Sequence, residues 1–202
     1  MIHPHTEIRF ISEQKGYGVV ATRFIPKGTI TWVQDPLDRT FTESDIARLD
    51  KLYQDILNTY TFRNRDGEFV LCWDNARFVN HSFNSSCMST AYDFEIAICD
   101  IHPGEELTDD YGYLNIAEPF DVVPEEGCDR TTVYPDDLLR YHQQWDDAVR
   151  QNFPAILNVD QPLMRIVPEV TQQIIREIST GSRTMESILS NYFDPATVRK
   201  QH

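Results

Sequence analysis

RFVNHSFNSSC, residues 77–87, sets an amide, an imidazole, hydroxyls, a second amide and a thiol directly behind two apolar residues, Phe78 and Val79. It leaves EFVLCWDN, residues 68–75, which reads as a β-strand of β-branched and aromatic residues. A polar turn capping that strand would account for part of the composition, because turns collect Asn and Ser. Asn80 adds something a turn does not require, a planar donor–acceptor edge of the kind that can read an adenine edge.

Two more polar stations lie outward from this stretch. Upstream is KGYGVVATRFIPKGT, residues 15–29, where Gly16 and Gly18 flank Tyr17. Such backbone can turn sharply or let a ligand approach closely; a plain hairpin turn is the alternative. Downstream is GEELTDDYGY, residues 104–113, with Asp109, Tyr111 and Tyr113 at the end of a short strand. A tyrosine there commonly serves as a core or rim residue.

The intervening sequence supplies short strands and one change of period. EIRFISEQKGYGVVATRFIPKGTITWVQ, residues 7–34, alternates between glycine turns and predicts three strands. In FTESDIARLDKLYQDILNTY, residues 41–60, Ile46, Leu49, Tyr53, Ile56, Leu57 and Tyr60 share a helical face, with Thr42 as N-cap. Asp66-Gly67 marks a hairpin, and YDFEIAICDI, residues 92–101, is a further strand. Beyond about residue 117 the pattern is helical: residues 135–153, 168–180 (ending before Gly181) and 182–193 each carry apolar stripes that read as packing faces.

Composition narrows the class. A chain of 202 residues with 41% apolar and 25% charged residues suits a globular domain with an appendage. The apolar runs are too short to span a bilayer. MIHPHTEIRF lacks the layout of a secretion signal, so a soluble, intracellular protein, cytoplasmic or nuclear, is expected. The four cysteines form no CxxC pair, which signals neither a disulfide framework nor a zinc ribbon. Eighteen Lys+Arg against 32 Asp+Glu give a net charge of −14, which argues against gripping a nucleic-acid backbone and favours basic partners.

Taken in order, GYGVVATRFIPKGT, RFVNHS and GEELTDDYG closely resemble the motifs of the SET domain of protein-lysine methyltransferases, over roughly residues 7 to 116. The resemblance implies a mainly β fold of short curled sheets whose C-terminal strand is threaded as a pseudoknot. With it goes a division into a SET domain at residues 1–116, carrying a helical insert at about 37–68, and a helical post-SET-like region at 117–202 packed on it. It further implies S-adenosyl-L-methionine as cofactor, held by Gly16, Tyr17, Gly18, Asn80 and His81, and Tyr111 as a catalytic tyrosine that also touches the cofactor. The substrate channel would include Asp109 and Tyr113. The partner would be a protein with an accessible lysine, expected to be basic, with no direct nucleic-acid or membrane binding.

Two departures from the family pattern bear on chemistry. The family commonly has Phe or Tyr where this chain has Asp109, and an ionised carboxylate facing the channel would hold an ammonium in its charged form. Zinc-bearing relatives use a cysteine-rich tail, but FDVVPEEGCDR, residues 120–130, offers only Cys128 beside the matching Cys87. Four-coordinate zinc needs more ligands, so no metal is expected, and the segment Tyr134 to Phe153 is expected to close the channel by apolar packing instead. Methyl transfer to another amine, and a catalytically silent cofactor-binding or interaction module, remain alternatives.

Overall fold

The computed structural model describes residues 1–198. Strands β1 (Thr6–Ser12) and β2 (Gly16–Ala21) pair antiparallel around the Gly16 turn, where φ is +71°. Between them and the next sheet the chain turns at Gly28 and enters β3 (Ile30–Val33), all four residues of which are buried. The helical period beginning at Thr42 yields two helices rather than one: α1 (Glu43–Ala47) and α2 (Lys51–Tyr60). Thr42 closes a capping box with Asp45, but the Asp50 carboxylate accepts the Leu52 N–H and starts a fresh helix, which breaks the run. The apolar stripe is consequently not a core face: Leu57 is buried, whereas Tyr53 and Ile56 are exposed.

The hairpin expected at Asp66-Gly67 joins β5 (Thr61–Arg63) to β6 (Phe69–Leu71), and β4 (Arg39–Phe41) pairs with β6 from the other side. A 3-10 turn at Asn75–Phe78 then delivers the chain to β7 (Asn80–His81). Strands β8 (Cys87–Ser89) and β9 (Phe94–Ala97) join β3 in a sheet ordered β3-β9-β8. The last strand of this part, β10 (Glu106–Asp109), enters the first sheet between β2 and β7, giving the order β1-β2-β10-β7. It runs antiparallel to β2 and parallel to β7, with Thr108 opposite Asn80 and Asp109 opposite His81.

A short ribbon of β11 (Phe120–Asp121) and β12 (Thr132–Val133) precedes α3 (Asp137–Asn152) and α4 (Glu169–Ser179). Residues 182–193 depart from the helical expectation and form only a 3-10 turn, Ile188–Asn191. The Asp146 carboxylate of α3 takes the Ile188 N–H at 2.8 Å, so a tertiary partner satisfies backbone that a helix would have used. Ile30, Phe94 and Ile96 of the β part share one apolar core with Leu138, Trp145, Val149, Phe153, Ile175 and Ile188. Gln161 stitches the same boundary: it accepts the Ile30 N–H and donates to the Gly28 carbonyl, each at 2.8 Å. Burying side chains of this size contributes roughly 1.5–3 kcal/mol each.

Candidate active site

The placement of β10 between β2 and β7 gathers the three polar stations. The Asn80 side-chain amide donates to the Tyr17 carbonyl at 3.1 Å and to Glu106 Oε1 at 2.6 Å. Its nitrogen is thus committed to tying β2 and β10 together. Gly18 is required by this closeness, because a Cβ there would collide with the Glu106 carboxylate and come within 2.7 Å of Asn80 Nδ2. Around Gly16 there is open space, and the Tyr17 ring is exposed, edge-on to Phe10.

His81 is a fixed, neutral ring. Burial holds its pKa down at about 4. Its Nδ1 accepts the Tyr111 N–H at 3.0 Å, which leaves the ring proton on Nε2. That nitrogen is buried without a hydrogen-bond partner. Phe83, Tyr111 and Phe120 surround the imidazole with centroids 4.5, 5.4 and 5.9 Å away. The Tyr111 hydroxyl donates to the Val79 carbonyl at 2.5 Å. Burial pushes that phenol above its ordinary value, so it stays protonated and serves as a hydrogen-bonding group rather than as a base.

On the other side of Tyr111 opens a cavity of about 550 Å³. Trp32, Tyr60, Phe62, Phe69 and Tyr111 supply aromatic walls, and Leu114 to Glu118 supply one side. Asp109 lines it and is 5% exposed in the whole molecule, so its carboxylate does not turn to the outer surface. Tyr113 does not line it. The Gly112–Tyr113 step turns that ring into the core, edge-on to Trp145 at 5.3 Å; its hydroxyl approaches Asp109 without reaching ordinary hydrogen-bond geometry. Residues 134–153 do not line it either. Helix α3 packs behind Tyr113 instead, and the wall expected of it is made by the chain just after Tyr113.

One residue escaped the sequence reading. Glu95 lines the cavity beside Asp109, with its carboxylate accepting the Ser89 hydroxyl at 3.0 Å. Each carboxyl lies near enough to affect the other's titration. Burial pushes Asp109 up to about 6, against the pull of Tyr113 and Glu95; burial, then the charge of Asp109, pushes Glu95 well above the ordinary carboxylate range. The signal was available: an acid in the middle of YDFEIAICDI, where alternation predicts buried neighbours.

Behind the cavity, Arg130 bonds Asp110 and, at 2.7 Å, Asp137 of α3. Its guanidinium lies 4.2 and 4.4 Å from the ring centroids of Phe83 and Tyr141. Cys87, on β8, sits in the core shared by the first sheet and the β3-β9-β8 sheet, and burial raises its thiol above the ordinary value, while Cys128 is half-buried. No helix among the described residues is long and apolar enough to cross a membrane.

Comparison with known proteins agrees with this geometry. The SET domain family model matches residues 16–112, which run from the β2 turn to the residue after Tyr111. A histone-lysine N-methyltransferase, H3 lysine-9 specific, from Schizosaccharomyces pombe is 34% identical over 121 residues, covering 50% of this chain. The match takes in 24% of that relative, so the chain spans about a quarter of its length. Residues 16–112, folded into small sheets that bring the three motifs together, thus match the SET domain family.

Proposed function

We propose that this chain transfers a methyl group from S-adenosyl-L-methionine to the side-chain amine of a lysine in a protein. The observation that carries the reading is the β7–β10 pairing, which sets the His81 ring on one side of Tyr111 and the aromatic cavity on the other. The threaded C-terminal strand of the family belongs to this reading, supported by the same parallel pair. So does the division at residue 116, with the helical remainder acting as a brace rather than as a wall.

The residues present fit the cofactor. The buried, unpartnered Nε2 of His81 calls for a polar ligand atom or water, and the open Gly16 turn leaves room for the ligand's amino-acid end. Gly16, Tyr17 and Gly18 would hold that end, His81 the adenosyl side, and Asn80 would keep the two supports in register. When bound, the cofactor supplies a methyl group activated by its sulfonium. The protein's own work is to align and desolvate the incoming amine. Free lysine has a pKa near ~10.4, and aromatic walls disfavour the ammonium. The Tyr111 oxygen, held by Val79, and the carbonyls near it offer acceptors for weak C–H···O contacts with a polarised methyl.

The substrate fits a basic protein, drawn by the −14 charge, in the cytoplasm or nucleus. The test is incubation with labelled cofactor and fractionated basic proteins, followed by mass-spectrometric mapping of the methylated residue. Tyr111→Phe is expected to abolish most transfer while cofactor binding by calorimetry persists. Asn80→Ala is expected to lower cofactor affinity by about 1–3 kcal/mol. Label on an amine other than lysine would replace the substrate assignment; no label with cofactor bound would make the chain a binding module.

A further inference from the structure

Two buried carboxyls at the floor of an aromatic cavity are out of place in a site that only needs to desolvate an amine. Asp109 and Glu95 come from different sheets, on β10 and β9, and both line the cavity. No cation pairs with either among the described residues. The two arginines that reach the cavity wall are engaged elsewhere. Arg63 pairs with Glu43 at 3.1 Å, and Arg77 donates to the carbonyls of Trp73 and Asp74 at 3.0 and 3.2 Å. One oxygen of Asp109 is buried with no hydrogen-bond partner. Of two neighbouring acids buried without a cation only one ionises readily, which leaves one proton and one negative charge on the pair.

We propose that the Glu95–Asp109 pair is the proton acceptor for the ammonium group of the substrate. The inference rests on the cavity taking an amine, as read above. An N–H bond of the ammonium breaks and its electron pair stays on nitrogen as the lone pair needed for attack. The proton passes to the pair, which goes from one proton and one negative charge to two protons and none. Opening of the cavity returns the extra proton to water. An isolated surface carboxylate would be a poor acceptor, since its pKa lies roughly six units below that of an amine. Burial narrows that gap from both ends by raising the acid and lowering the amine. The other groups near the pair are the hydroxyls of Tyr111, Tyr113 and Ser89 and the Cys87 thiol, with the Asp110 carboxyl adding its charge from the far side. Burial keeps the thiol and both phenols protonated, and Asp110 is bonded to Arg130, so none of them competes for the proton.

The experiment has two arms, one of which needs no methyl transfer. Trp32 lines the cavity, and its fluorescence reports a small ligand there. Butylammonium is expected to bind the parent at least about tenfold more tightly than butanol, and Glu95→Gln and Asp109→Asn are expected to erase that preference. Both changes are nearly isosteric, and an infrared band of a protonated carboxyl at neutral pH reads the pair in the unaltered protein. In the second arm kcat is followed against pH. The parent is expected to level off near neutrality, whereas each variant falls at least about tenfold at pH ~7 and recovers about tenfold per pH unit toward the range of the free amine. Equal binding of butylammonium and butanol, absence of the infrared band, or parallel pH profiles would overturn the proposal. A parent that transfers no methyl group to lysine at any pH would instead fail the function proposed above, which the binding arm does not read.

Discussion

Asp109 and Asp110 are neighbours in the chain and both are buried, yet they meet opposite surroundings. Asp110 points back toward α3, where Arg130 bonds it and Asp137 together beneath three aromatic rings. Asp109 points into the cavity, where its neighbour is another acid. The end of the strand explains the divergence: Asp109 is the last residue of β10, whereas Asp110 caps the 3-10 turn that follows, its carboxylate accepting the Gly112 N–H. A buried charge with a cation joins two parts of a fold. One without a cation is a standing cost that only a ligand or a proton relieves. The first arrangement is architecture and the second is chemistry.

The contrast breaks most visibly at Arg130. Arg130→Ala leaves two buried carboxylates facing each other and is expected to cost about 3–5 kcal/mol in denaturant unfolding. A cost below about 1 kcal/mol would show that the node is not what fastens α3. Neutralising the two aspartates should act with opposite sign. Asp110→Asn removes a charged partner of Arg130 and is expected to cost about 1.5–3 kcal/mol. Asp109→Asn is expected to stabilise by about 1–3 kcal/mol near pH 8. The folded pKa of about 6 lies above the ordinary 3.8, so the parent is relatively stable while Asp109 is protonated and loses that stability as pH rises through 6. The gain from Asn should therefore fade as the pH is lowered toward 4, and a gain constant across pH would place the ionised carboxylate outside the cavity. Stability gained with function lost is the pattern expected of a site residue.

The smallest effect has the reverse slope. His81 is held at about 4 against an ordinary 6.5, so the unfolded chain binds more protons between those values and stability falls as the pH drops through that window. After allowance for the part of the ring that water reaches, about 1 kcal/mol is expected. A thermal-denaturation series of His81→Gln, flatter than the parent below pH ~6.5, would separate it from Asp109.

Local patterns made the strands legible: β1, β2 and β3 follow from glycine turns and alternation, and Gly67 marks the β5–β6 hairpin. The long helices α3 and α4 follow from their stripes. The failures came where a side chain offered the backbone a competing partner, as Asp50 did between α1 and α2, and as Asp146 did at Ile188. At the site, motif order pointed to Asn80, His81, Asp109 and Tyr111 as one group. It could not reveal that the Asn80 amide is spent on Tyr17 and Glu106, that Tyr113 turns away, or that Glu95 arrives from another sheet. Those depend on contacts between residues far apart in the chain, which spacing alone does not encode.

The position of β10 has a kinetic corollary. Asn80 must find Tyr17 across 63 residues, and neither edge of that gap can be closed until the Glu106–Asp109 segment has been synthesised and inserted between them. Until then β2 presents an open edge, the condition under which strands recruit foreign partners. Non-local pairing of this kind slows folding. During translation the β1–β2 hairpin therefore waits while some eighty further residues emerge before the candidate site can be closed. A cell making this protein would need its chaperones most during that interval, before the fourth strand arrives.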